Sequence, residues 1–262
     1  MSYGLAAGTL WLIPTPLGEG SEASSCLPRE TAEVATRLDY FIAENARSAR
    51  AFLKQLPLER PIQSIEIREL NVNTPDSALS ELLAPIVSGR DGAILSEAGC
   101  PAIADPGADL VALAHRHKIR VRPLIGPSSI LLALMASGLG GQRFSFAGYL
   151  PQAENERLAA ARDLEQRSAR NGETILIIET PYRNQALFDT LLDGLQASTR
   201  LMVAASLTLT AESVEMKPVS EWRANRPSLA RVPTVFGWLA EAGPGRRPPA
   251  GAVPHRAQPR RR

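Results

Sequence analysis

The sequence predicts an α/β protein of two domains, and two observations carry that prediction. Over 262 residues, short apolar runs alternate with segments of helical periodicity, which is the pattern of a mostly parallel sheet covered by helices on both faces. Hydrophobic residues make up 44% and charged residues 21% of the chain. This balance excludes a disordered chain or a coiled coil and is typical of a folded protein with a sizeable core.

The first predicted domain, residues 1–146, contains a parallel sheet. Its first strand is stopped by the prolines and glycine of segment 14–18, and a later helix begins where Asp105 and Pro106 provide start signals. In chain order we predict strand 9–13, helix 29–37, strand 39–43, helix 46–55, strand 64–70, a helix from 74, strand 92–95, a helix from 105, strand 119–124 and helix 126–137.

The second predicted domain, residues 147–242, contains a mixed sheet. Segment 144–149 is interpreted as a linking strand that ends the first half, and the junction is placed near residues 147–153. We then predict helix 154–168, strand 174–178, helix 184–195 and the strands 201–205, 213–217 and 233–239.

The last segment, residues 243–262, differs in composition from the rest. It holds six arginines and no acid, and it is rich in glycine and proline, so we predict a disordered basic tail. Removing these six from the 29 basic residues leaves 23 against 27 acidic residues, a body of about −4. A basic tail attracts phosphates without sequence preference, but we favour the simpler interpretation of a solubilising or accidental extension.

Several functional classes lose support. No apolar run reaches the roughly 18 residues that a bilayer needs, and the N-terminus has no signal-peptide pattern, so we predict a cytoplasmic protein without a membrane partner. Two cysteines, Cys26 and Cys100, form no disulfide framework, and no metal-ligand spacing is present, so no metal is predicted. Phosphate-loop, dinucleotide-binding and nucleophile-elbow motifs are also missing.

Three loops rich in glycine, proline and small polar residues follow predicted strands of the first domain. They span residues 14–18, 96–107 and 126–129. Glycine permits close approach of backbone to a ligand and proline fixes the loop in advance. Because ligands of parallel sheets bind outside the carboxyl ends of the strands, the three loops together predict a ligand site.

The same loops carry a family resemblance. Segment 8–18 resembles GTLYLVPTPIGN, segment 96–107 resembles SDAGTPLISDPG and segment 122–129 resembles VVPLPGPSA. Segments 137–151 and 178–183 follow in order as SGL…F…GFLP and YESPHR. These motifs are similar to those of the tetrapyrrole methylase superfamily, in particular its ribosomal RNA small-subunit methyltransferase I branch, over residues 8 to 240.

The resemblance implies a methyltransferase of two α/β domains of the tetrapyrrole methylase type, with the cofactor cleft between them, and a homodimer. It implies S-adenosylmethionine as cofactor; small residues and backbone groups suit adenosine and a methionine tail. The cofactor-binding residues it implies are Pro16, Ser96, Ala98, Gly99, Cys100, Ile103, Ala104, Ser128, Ser129, Tyr182, Ala205, Ser206, Pro233 and Thr234.

One segment departs from the family pattern. Where the ribosomal RNA enzymes have an acidic-Asp-Thr-Arg motif after the second strand, this chain has Glu44, Asn45, Ala46 and Arg47. We predict Glu44 as the base that accepts the acceptor's proton, with Arg47 orienting it or a phosphate. The alternative is that Glu44 and Arg47 form a structural ion pair at the start of a helix.

The predicted function is therefore S-adenosylmethionine-dependent methylation of ribosomal RNA, at a ribose 2′-hydroxyl, with ribosomal RNA or the small ribosomal subunit as partner. Two alternatives stay open at this point. One is a methyltransferase for a tetrapyrrole or another small molecule, and the other is a non-catalytic dimeric protein that binds S-adenosylmethionine.

Overall fold

The computed structural model describes residues 6–18 and 20–241, so the predicted basic tail, 243–262, lies outside the described residues. The chain divides into two compact units, Met1–Ser129 and Ile130–Arg262. Each unit is built around one five-stranded sheet with helices packed on it, which confirms the predicted pair of α/β domains.

The first unit holds a wholly parallel sheet. Its described strands are β1 Thr9–Ile13, β2 Tyr40–Ala43, β3 Glu66–Glu69, β4 Gly92–Leu95 and β5 Arg120–Pro123, and its described α-helices are α1 Ala23–Cys26, α2 Arg29–Arg37, α3 Ala46–Leu53, α4 Leu79–Val87 and α5 Ala108–Arg116. The strand order is β3-β2-β4-β1-β5. All five strands run the same way, so the loops that follow them leave from one edge.

Helices cover both faces of this sheet because consecutive strand residues point to opposite sides. Ile13 and Phe41 pack with residues of α2 and α3 on one face. Leu10 and Ile42 pack with α4 and α5 on the other. Each of these four side chains is fully buried, which explains why the inner strands β1, β2 and β4 consist almost entirely of apolar residues.

The second unit holds a mixed sheet, as predicted. Its described strands are β6 Phe144–Phe146, β7 Thr174–Glu179, β8 Arg200–Ala205, β9 Ser213–Pro218 and β10 Thr234–Leu239, and its helices are α6 Ser129–Ser137, α7 Glu154–Asn171, α8 Asn184–Gly194 and α9 Val219–Ala224. The order is β6-β7-β10-β8-β9, with β6 parallel to β7 and the other pairs antiparallel. Phe188 anchors the core, edge-on to Trp222 at 5.4 Å.

The observed boundaries differ from the predicted ones in three places. The division falls after Ser129 and not at 146/147, because β6 pairs with β7 and so belongs to the second sheet. Helix α5 begins at Ala108, since Gly107 with φ +133° interrupts the backbone after Asp105 and Pro106. The predicted helix 126–137 begins at Ser129. Two short helices, α1 and α9, were not predicted from the sequence pattern.

Candidate functional site

The loops after β1 and β4 are joined by backbone pairing at the carboxyl edge of the first sheet. The amide N of Thr15 donates to the carbonyl of Gly99 at 2.9 Å, and the amide of Gly99 donates back to the carbonyl of Thr15 at 3.1 Å. The Thr15 hydroxyl donates to the Ser96 carbonyl at 3.1 Å, and the Ser96 hydroxyl donates to the Gly99 carbonyl. Both side chains are buried, so these bonds are shielded from water and hold the two loops rigidly.

The loop after β5 closes against the other two. The Cys100 thiol donates to the carbonyl of Pro127 at 3.5 Å, and burial raises the pKa of this thiol, which keeps it protonated. A Cβ added to Gly126 would lie 2.4 Å from Cβ of Pro14, so only glycine permits this approach of the β5 loop to the β1 loop. The three loops that the sequence predicts as a ligand site are therefore interlocked.

The predicted cofactor residues of this unit fall into three groups by exposure. Pro16, Ser96 and Gly99 are buried and maintain the shape of the loops. Cys100, Ser128 and Ser129 are half-buried. The exposed residues are Ala98, Ile103 and Ala104.

Backbone strain marks the β4 loop. Ala102 and Ala104 both adopt φ of 64°, in the left-handed region that residues with a Cβ seldom occupy. Each costs on the order of 1 kcal/mol, and such strain is concentrated at binding and catalytic sites. The loop is thus held in one shape by its neighbours at the expense of local stability.

The segment after β2 begins helix α3. The side chain of Asn45 caps the helix, because its Oδ1 accepts from the amide of Arg47 at 2.8 Å and of Ser48 at 3.4 Å. Arg47 is exposed, and within residues 6–18 and 20–241 no ion pair joins it to Glu44. The alternative of a structural Glu44–Arg47 pair therefore loses its support, whereas Asn45 has a structural role that the sequence did not reveal.

Three carboxyl groups from two segments, the turn after β2 and the loop after β4, interact at this edge of the sheet. Burial, together with the negative charge of Glu97, raises the pKa of Glu44. Burial, together with the charges of Glu44 and Glu97, raises the pKa of Asp105 to about 6. The Ser48 hydroxyl donates to Oε1 of Glu97 at 2.9 Å, which ties α3 to the β4 loop. From the sequence we predicted only Glu44 as a catalytic acid, because Glu97 and Asp105 lie more than fifty residues after it in the chain.

Asp105 gives a stability prediction. A carboxyl group whose pKa is raised in the folded state stabilises the fold below about pH 4, its unfolded value, and this stabilisation is lost as the pH rises through about 6. We expect Asp105→Asn to gain about 1 kcal/mol over the parent between pH 4 and pH 8, after allowance for solvent screening of a half-buried group. Urea unfolding at the two pH values measures this difference. Asp109→Asn removes a nearby exposed carboxylate and controls for net charge; a difference for Asp105→Asn that does not change with pH would contradict the expectation.

The predicted cofactor residues of the second unit share one edge of its sheet. Thr234 pairs with Glu179 on one side and Ala205 on the other, and the amide of Ser206 donates to the carbonyl of Pro233 at 2.9 Å. Ser206 has φ of 51°, a second strained position at a loop. Tyr182 is 81% exposed, with the Arg231 guanidinium 5.9 Å from its ring centroid.

Glu179 and Asn184, which were not predicted as site residues from the sequence, stabilise this edge of the sheet. Glu179 is buried and forms an ion pair with Arg183 of the following turn, and it also accepts from the amide of Thr180 at 2.7 Å. Asn184 donates to the carbonyl of Val232 and to the hydroxyl of Thr234. Glu179 lies within the Ile178–Arg183 match to the family motif and Asn184 directly follows it. This match was the one feature of the sequence that could have identified them as site residues.

Within the described residues, no group of three histidine, cysteine or acidic side chains is arranged to hold a metal ion. Likewise, none of the helices in the part of the chain that the structure describes is both long and apolar enough to span a bilayer.

Comparison with known proteins agrees with this architecture. Residues 12–222 match the family model of tetrapyrrole (corrin/porphyrin) methylases. The chain belongs to the tetrapyrrole methylase family. Members of this family are S-adenosylmethionine-dependent methyltransferases, so the predicted enzyme class and cofactor are confirmed.

Within the tetrapyrrole methylase family, the chain is similar to curated proteins named ribosomal RNA small subunit methyltransferase I. That of Xylella fastidiosa is 31% identical, covering 79% of this chain and 71% of the relative. That of Pseudomonas aeruginosa is 30% identical, covering 91% and 82%. The crystal structure of uroporphyrin-III-C-methyltransferase from Thermus thermophilus shares the fold, with a TM-score of 0.51 at 18% identity over 88% of this chain and 92% of that one.

Proposed function

We propose that this methyltransferase transfers the methyl group of S-adenosylmethionine to ribosomal RNA of the small subunit, at a ribose 2′-hydroxyl. The observation that carries the proposal is the similarity, over most of both chains, to proteins named for that substrate. The position of Glu44 beside the interlocked loops supports it, since a hydroxyl acceptor needs a group that takes its proton.

The cofactor fits the loops of the first unit. Their exposed residues Ala98, Ile103 and Ala104 carry small or apolar side chains, which suit an adenosine and a methionine tail. The roles of Tyr182, Ala205, Ser206, Pro233 and Thr234 in binding the cofactor stay a prediction.

For methyl transfer, the main task of the protein is to position the methyl donor and the acceptor. The bound cofactor supplies an electrophilic methyl group on a good leaving group; the acceptor oxygen forms a bond to carbon, and the electron pair of the broken bond stays on sulfur. Orientation supplies most of the acceleration in such a step, with effective molarities of about 10⁵ M or more. The acceptor's proton passes to the carboxylate of Glu44, whose raised pKa makes it a better base, and Arg47 positions a phosphate.

Incubation with labelled S-adenosylmethionine tests the proposal. We offer the protein small ribosomal subunits in one reaction and a metabolite extract in another. The expected result is label in ribosomal RNA at an alkali-resistant linkage, because a methylated 2′-oxygen cannot attack the neighbouring phosphate. Label in a tetrapyrrole or other small molecule would favour that alternative, and cofactor binding without transfer to either would favour the non-catalytic one.

We also propose that the protein is a homodimer in the cytoplasm, where a ribosomal RNA substrate is found. The support is the family membership, and two-fold symmetric dimers are the commonest oligomers of soluble proteins. Light scattering at tens of micromolar should give twice the mass of one chain. The mass of a single chain at that concentration would overturn the dimer.

A further inference from the structure

One face of α3 is a stripe of positive charge. Arg47, Arg50 and Lys54 are spaced three and four residues apart, so they lie on the same side of the helix. All three are exposed. The opposite side of the helix is buried in the core of the first unit through Ala49, Phe52 and Leu53. We call these three cations the α3 basic face.

The cations of the α3 basic face have no acidic partner on their own helix. Residues 45–58 contain no aspartate or glutamate. Across the part of the chain that the structure describes, none of the three cations takes part in an ion pair. Arg60 and Arg90, by contrast, are both paired with Asp39. Three adjacent unpaired cations therefore remain for an anionic partner.

The α3 basic face starts at the segment proposed to handle the acceptor. Helix α3 begins directly after Glu44 and Asn45, and its eight residues extend about 12 Å. The acids Glu44, Glu97 and Asp105 lie at the same edge of the sheet and repel phosphate. An RNA that brings a ribose to this edge therefore needs nearby cations to hold its backbone, because contacts to phosphate fix the position of a nucleic acid on a protein.

We propose that the α3 basic face binds the phosphate backbone of the substrate RNA and so holds the target ribose at Glu44. This inference rests on the proposed ribosomal RNA substrate and assigns the surface that recognises it. The recognition is electrostatic and independent of sequence, and it acts on RNA affinity and on KM for RNA, not on cofactor binding.

The test uses two double variants of the full chain. Arg50→Gln with Lys54→Gln removes two of the three charges of the α3 basic face and leaves Arg47, which is proposed to act on the acceptor. Arg116→Gln with Arg120→Gln is the control, since both are exposed cations near the opposite, amino-terminal edge of the same sheet. Binding to purified small-subunit ribosomal RNA is measured between about 50 and 200 mM salt, where phosphate contacts dominate the salt dependence of affinity. Affinity for S-adenosylhomocysteine and the temperature of unfolding are measured alongside.

We expect the α3 variant to bind RNA about tenfold more weakly at low salt, with a plot of log affinity against log salt that is less steep by about 1.4, the value for two lost phosphate contacts on single strands. The control variant should match the parent, and both should bind S-adenosylhomocysteine normally. If the parent methylates RNA, either of two results would overturn the inference and leave the proposed function standing. One is unchanged RNA affinity and slope in the α3 variant, and the other is an equal loss of RNA affinity in the control variant. A parent that neither binds nor methylates ribosomal RNA would overturn the proposed function as well.

Discussion

Glu44→Gln should lower methyl transfer by about a hundredfold or more while affinity for S-adenosylmethionine stays within about threefold, under roughly 0.7 kcal/mol. The reason is that a glutamine amide keeps the size and hydrogen-bonding capacity of the side chain but cannot accept the acceptor's proton. Arg47→Ala should show the same separation through loss of a charge clamp on phosphate. Transfer is measured on small ribosomal subunits and affinity by calorimetry.

Glu59→Gln is the matched control for this pair, because Glu59 is exposed and lies beyond the end of α3; it should leave both quantities unchanged. An equal loss of cofactor affinity in Glu44→Gln would show that this residue faces the cofactor.

Asn45→Asp with Ala46→Thr should raise transfer to ribosomal subunits, since aspartate caps a helix as well as asparagine does and the change restores the family motif. No gain would favour a different acceptor.

Gly126→Ala should weaken S-adenosylhomocysteine binding by at least about tenfold, or 1.4 kcal/mol. The added Cβ would lie 2.4 Å from Cβ and 2.8 Å from Cγ of Pro14. The proline ring is rigid, so the loops after β1 and β5 must separate, and overpacking of this kind costs about 1–3 kcal/mol in stability. Calorimetry below the unfolding temperature of the variant measures the effect on binding.

Gly141→Ala is the matched control for Gly126→Ala. Nothing lies within 4 Å of a Cβ added there, so the same chemical change should leave binding and stability close to those of the parent. Parent-like affinity in a folded Gly126→Ala protein would mean that the contact between the two loops does not shape the cofactor site.

Strand β1 was predictable because it is a short apolar run with a stop signal. Thr9–Ile13 is followed by two prolines and a glycine. Because both of its faces are covered, its residues form a continuous apolar run and do not alternate between apolar and polar. The start of α5 was not predictable, because Asp105 and Pro106 form a typical helix start and only the backbone of Gly107, with φ +133°, delays the helix. The partner of β6 depended on tertiary pairing, which no local pattern contains.

The candidate site was predictable as far as its loops. Glycine and proline at strand ends identified all three, and backbone pairing of Thr15 with Gly99 brings two of them together. The role of Asp105 was not predicted because its raised pKa arises from burial and from the charges of Glu44, on another segment, and of Glu97, eight residues earlier in the same loop. The capping role of Asn45 was also missed, since a departure from a family motif gives no information about the new side chain's partners.

The central claim is that the interlocked loops after β1, β4 and β5 form an S-adenosylmethionine site. A calorimetric titration of the parent protein with S-adenosylhomocysteine tests it most directly. We expect saturable binding of one molecule per chain, together with a rise in the unfolding temperature, because a ligand that binds only the folded state stabilises it. The absence of both heat and thermal shift at millimolar cofactor would contradict it.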